Sequence, residues 1–180
     1  GCAKAPDAQL KQAEDALAAA EAAGAPRYVP DAWDRAKLAA DRLKAEVEKQ
    51  GKRFALFRGY GKAKSMAEET VRLAEQAVTE ANSRKTQLRG EVTAMIAEIE
   101  GALQSARSQL SRYSRVRGLD AASLRSSLNA AGRQLEQARS ELSAGAYDRA
   151  MAVAAQARDA VNGVFKAIEK ATGVPVSRKR

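Results

Sequence analysis

The chain has no histidine, one cysteine, four prolines and eight aromatic residues among its 180 positions. Without histidine there is no Ser-His or Cys-His catalysis, no imidazole metal ligand and no histidine proton shuttle. A single cysteine makes neither an internal disulfide nor a cysteine-cluster zinc site. No apolar run approaches the roughly 20 residues that a bilayer-spanning helix requires. P-loop, GxGxxG and GxSxG patterns are absent, and Gly59-Tyr60-Gly61 is too short for a phosphate loop. What the chain has in abundance is alanine, 41 residues, which is over half of its 45% hydrophobic content. A core of Ala and Leu favours helices in close approach over a β-sandwich. Basic residues also predominate, with 31 Lys+Arg against 22 Asp+Glu, a net charge of +9 and a pI near 9.9.

The only cysteine stands at the start, in Gly1-Cys2-Ala3-Lys4-Ala5-Pro6. This opening resembles that of a bacterial lipoprotein after processing, in which a cysteine next to a glycine carries the lipid. The resemblance implies lipid attachment at Cys2, with residues 1–7 as a flexible tether. Ala3 is not the Asp associated with inner-membrane retention in such proteins. The implied address is therefore the outer membrane, facing the periplasm.

Prolines 6, 26, 30 and 175 leave Asp31 to Val174 free of helix breakers. Spacing predicts a helix over Ala8–Ala23 capped by Asp7, then a loop through Pro30. A second helix follows, capped by Asp31 and running to about Gln50, with Trp33, Ala36, Ala40, Leu43 and Val47 inward. From Ala67 the stripe continues at alternating threes and fours through Val71, Ala74, Val78, Ala81, Leu88, Val92, Met95 or Ile96, Ile99, Leu103, Ala106, Leu110 and Tyr113. Only Lys85, between Ala81 and Leu88, is out of character, and there is one stutter around Met95 to Leu103. Gly90 and Gly101 lie off this stripe and do not reset its phase, which predicts one helix from about Gly61 to Val116, roughly 84 Å long. A break near Asn82–Gly90, giving six helices in one compact bundle, is the other reading. Asp120 is expected to cap a helix over Ala121–Ser143, and a last helix is expected over Ala146–Ala171.

The elements repeat. Leu10, Ala13, Leu17 and Ala20 match Leu103, Ala106, Leu110 and Tyr113 at a shift of 93. Trp33, Ala36, Ala40, Leu43 and Val47 match Leu128, Ala131, Leu135, Ala138 and Leu142 at a shift of 95. Tyr60 and Ala63 match Tyr147 and Ala150. The expected fold is all-α: an elongated bundle of five helices, two tandem three-helix units sharing one long central helix. Unit boundaries fall at 8–82 and 83–172, with a basic disordered tail over 173–180.

The segment AEDALAAAEAAGAPRYVPDAWDRAKLAADRL, with Tyr28-Val29-Pro30 and Trp33-Asp34-Arg35-Ala36, resembles the Ala-rich helical domain of bacterial envelope lipoproteins. That domain often stands upstream of OmpA-like peptidoglycan-binding modules. The match covers about forty residues, and nothing after Ala171 resembles such a module. It implies no enzymatic activity and gives its motif positions a structural role.

Three groups of residues are candidate sites. The loop with Lys52, Arg53, Phe54, Phe57, Arg58 and Tyr60 mixes cations with aromatics. It suits phosphate head groups, sugars or bases, or else folds Phe54, Leu56 and Phe57 over the open end of a bundle. Arg107, Arg112, Arg115 and Arg117 form a basic patch at the end of the long helix. Trp33 and Tyr28 read as a packed core residue and a loop cap in preference to a ligand pair. The carboxylates Glu68 and Glu69, or Glu98 and Glu100, diverge around their helix, so no catalytic residue, metal or cofactor is assigned. The expected function is a non-catalytic envelope scaffold or spacer. It would be held to the membrane by its lipid and would engage a protein or cell-wall partner, with pairing to a second copy allowed by the heptads. A polyanion binder, engaging nucleic acid or lipopolysaccharide, is the alternative, with nucleic acid the less favoured ligand.

Overall fold

A computed structural model describes residues 6–54 and 59–176. Among these there are six helices and no strand: α1 (Asp7–Ala22), α2 (Ala25–Tyr28), α3 (Pro30–Gly51), α4 (Gly61–Tyr113), α5 (Ala121–Ser143) and α6 (Tyr147–Thr172). The expected five become six because Ala25–Tyr28, read as loop, closes one helical turn. Gly24 permits it by taking φ 82°, where a Cβ would stand 3.0 Å from the Tyr28 ring. Helix α4 runs without interruption through Asn82–Gly90, so the broken-helix reading is wrong. It ends at Tyr113, three residues before the expected Val116.

The caps follow the sequence only in part. The Asp120 carboxylate accepts a 3.0 Å bond from Ser123 N and starts α5 as expected. Asp7 and Asp31 do not cap. Pro6 and Val29 hold those positions without a side-chain bond, and the two acids lie inside the first turns of α1 and α3. There they still face the positive end of the helix dipole.

The chain divides into two compact units, residues 1–86 and 87–180. In the second unit, Val92, Ile96, Ile99, Leu103 and Leu110 of α4 pack with Leu128 and Leu135 of α5 and with Val161, Val164, Phe165 and Ile168 of α6. In the first unit the buried set is almost all alanine. One cluster is Ala20, Ala25, Ala32, Ala36, Ala74, Ala77 and Ala81. A second is Ala13, Leu43, Ala63 and Ala67.

The alanine seam corrects the inward face. Ala32 is buried and Trp33 is only half-buried, with Lys37 Nζ 5.7 Å from its ring centre. Thr70 and Ala77 are fully buried while Val71 and Val78 sit half-exposed beside them. Helices that approach closely enough to bury alanine leave little room on the seam for a side chain as large as that of Trp33. Thr70 fits because its hydroxyl donates to the Met66 carbonyl at 2.9 Å, so no polar atom is left unpaired.

Of the positions paired by the repeat, Ala13 and Ala106, Ala36 and Ala131, Ala40 and Leu135, and Ala63 and Ala150 are buried in both units, and Tyr60 and Tyr147 are both half-buried. Leu10, Leu17 and Trp33 are half-buried where Leu103, Leu110 and Leu128 are buried.

Candidate interaction surfaces

The loop joining α3 to α4 is organised by a polar cluster. Glu46 and Gln50, one turn apart on α3, are both buried. Gln50 Nε2 donates to Glu46 Oε1 at 2.8 Å. Gln50 Oε1 accepts from Gly59 N at 3.2 Å and from Arg53 Nη1 at 3.4 Å. Lys62 Nζ lies 3.7 Å from Glu46 Oε2. The bond from Gln50, helped by Lys62 and Lys49, holds the Glu46 carboxyl below the usual carboxylate range against the opposing effect of burial.

This arrangement revises the basic-aromatic loop. Phe54 is 82% exposed and does not close the end of the bundle. Lys52 and Arg53 are exposed, while Tyr60 packs against the Ala13, Leu43, Ala63 and Ala67 cluster. Phe57 and Arg58 lie outside the described residues, as do Leu56, Cys2 and the tail 177–180. The anchors Glu46 and Gln50 carry no sequence signal beyond an i, i+4 polar pair, since Gly59 reaches them only through the folded loop.

The four-arginine patch does not come together as one surface. Arg107 lines a groove of about 500 Å³ between α4 and α5, together with Gln104, Asn129, Gly132 and Arg133. Arg112 lines a different groove of about 520 Å³, with Ser105, Gln109, Tyr113 and Val174–Val176. Arg115 and Arg117 are exposed beyond the end of α4. The divergence is legible in the numbering, because five residues at about 100° each place Arg107 and Arg112 some 140° apart.

In the α4–α5 groove Arg139 is already satisfied. It pairs with Glu100 across the groove and with Glu136 one turn earlier. The Glu100 bond is the main cause that raises its guanidinium above the ordinary value. Arg107 and Arg133 make no ion pair among the described residues.

The grooves of the first unit instead carry apolar residues, most of them half-buried. Leu10, Leu17, Leu43 and Val47 line a groove of about 230 Å³ between α1 and α3. Leu38, Met66 and Leu73 line another of about 510 Å³ between α3 and α4, flanked by Arg35 and Arg42. Leu38 is 51% exposed. Trp33 and Tyr28 lie partly buried against the alanine cluster, with Arg27 5.6 Å from the Tyr28 ring centre, so they pack and do not frame a pocket.

Among the described residues no group of three or more Asp, Glu or Cys could hold a metal ion. No described helix is long and apolar enough to cross a membrane. No protein-family model, no curated protein and no solved structure matches the chain.

Proposed function

We propose that the chain is a non-catalytic scaffold of the bacterial cell envelope. It is anchored through a lipid on Cys2 and displays helical surfaces to a protein or cell-wall partner. The observation that carries this reading is the apolar surface of the first unit. Alanine fills the seam, so Leu38, Met66 and Leu73 remain as a groove at the surface. Leu38 is the exposed member of this groove, while Met66 and Leu73 are half-buried against the alanine clusters beneath it. The inward stripe of α4 supplies Ala63 to Ala81 to one core and Leu88 to Leu110 to the other, and this shared helix supports the spacer reading. The resemblance of the Tyr28-Val29-Pro30 and Trp33-Asp34-Arg35-Ala36 region to envelope lipoprotein domains supports an envelope address, and Ala3 after Cys2 favours the outer membrane within it.

The alternative, a polyanion binder working through its basic loop and helix ends, draws less support because Arg107 and Arg112 point to different grooves. The test has two arms. An alkyne fatty acid fed to the native bacterium should label the wild-type protein and leave Cys2→Ala unlabelled and released from the membrane fraction. A photo-crosslinker at Leu73 should trap one envelope component, and Leu38→Glu should abolish the adduct. Unlabelled wild-type protein removes the anchor, and an adduct indifferent to Leu38→Glu removes the groove.

A further inference from the structure

The α4–α5 groove of the second unit has a composition that packing does not account for. Arg107 and Arg133 come from different helices, line one groove, are exposed, and have no acidic partner among the described residues. The acids within reach, Glu100 and Glu136, are both taken by Arg139. Two amide side chains, Gln104 and Asn129, line the same groove. Gly132 sits mid-helix between them, where alanine would be the better helix former. A Cβ at that position would stand 3.4 Å from Arg107 Nη2, so its absence leaves the guanidinium space against the α5 backbone.

The repeat supplies an internal comparison. At the shift of 93, Glu14 stands in the place of Arg107. At the shift of 95, Lys37 and Leu38 stand in the places of Gly132 and Arg133. The three-helix unit therefore forms without an arginine at either position, and the pair belongs to the second unit alone.

We propose that this groove binds an oxyanion group, a carboxylate or a phosphate, carried on a polar ligand. Arg107 and Arg133 are the charged contacts. A guanidinium presents parallel donors that match two oxygens of a carboxylate or phosphate, and two such forks on facing helices grip one group from both sides. Gln104 and Asn129 supply neutral donors and acceptors for the body of the ligand. The groove takes a discrete group and needs no extended polyanion. It works whether or not Cys2 carries a lipid.

The test titrates the full chain with citrate and, separately, with inorganic phosphate at fixed ionic strength, following amide shifts by NMR. Saturable shifts at Gln104, Arg107 and Gly132 are expected with at least one probe. Citrate alone identifies a carboxylate ligand, phosphate alone a phosphate ligand, and both a site for either. Arg107→Gln and Arg133→Gln should each weaken binding about tenfold or more, the loss expected for a charged hydrogen bond. Arg115→Gln and Arg117→Gln remove the same charge outside the groove and should leave binding unchanged. Circular dichroism on each variant keeps misfolding apart from loss of the site. Equal weakening in all four variants, or no saturable shift with either probe, overturns the proposal.

Discussion

Gln50 donates to Glu46 one turn before it on α3, and its own carbonyl accepts the backbone N–H of Gly59, nine residues further along the chain. This pair ties Gly59, at the approach to α4, back to the end of α3. Lys62 completes the link from the first turn of α4 back to α3.

Gln50→Leu keeps the volume and removes the bonds to Glu46, Gly59 and Arg53, while Lys62 still faces the Glu46 carboxylate. We expect a loss of about 0.5–1.5 kcal/mol, the net worth of a hydrogen bond whose partners can regain water. Urea unfolding measures the loss. Faster hydrogen exchange at Gly59 in the same variant assigns it to the loop anchor.

The same cluster sets a dependence on pH. Folding lowers the Glu46 pKa relative to the unfolded chain. Its contribution to stability is therefore complete above the unfolded value and fades as the pH falls through the folded one. Melting temperature followed through the acid range should drop less steeply for Glu46→Gln than for the wild type. Parallel acid limbs would show that Glu46 makes no such contribution.

The two cores should respond differently to mutation. Leu128→Ala and Leu135→Ala empty sites that are 1% and 2% exposed, and each should cost about 2–5 kcal/mol. In the first unit the sensitive direction is reversed. Ala74→Leu forces a large side chain into a fully buried seam and should cost roughly 1–3 kcal/mol. Leu38→Ala, at an exposed site, should stay within about 0.5 kcal/mol. Chemical unfolding of the four variants decides whether the alanine seam is as close as described.

Glycine positions give a test of the backbone. Gly90 and Gly101 lie inside α4 with open space where a Cβ would go, so changing either to alanine should stabilise by about 1 kcal/mol. Gly118 takes φ 88°, and Gly118→Ala should destabilise because that conformation strains any residue with a Cβ. Thermal melts of the three single variants should therefore shift in opposite directions.

Helix content and the continuity of α4 could be read from the proline-free interval and from a stripe whose phase survives Gly90 and Gly101. The choice between neighbouring positions could not. Hydrophobicity ranks Trp33 over Ala32, yet close approach of the helices selects the smaller residue, and at Thr70 a bond to the Met66 carbonyl lets a polar residue take the buried place beside Val71. The anion groove was half legible. Arg107 stood out by charge, but its partner Arg133 lies on another helix, and a glycine acquires meaning there only once a guanidinium is seen beside it. The Glu46–Gln50 anchor needed the fold of the loop itself, which no local pattern encodes.

The central claim is that α4 is a single helix serving both cores. Backbone Cα shifts and amide exchange from Ala81 to Val92, measured by NMR on the full chain, test it most directly. Continuous helical shifts with protected amides are predicted across the interval. Coil shifts with rapid exchange anywhere between those two residues would contradict the account.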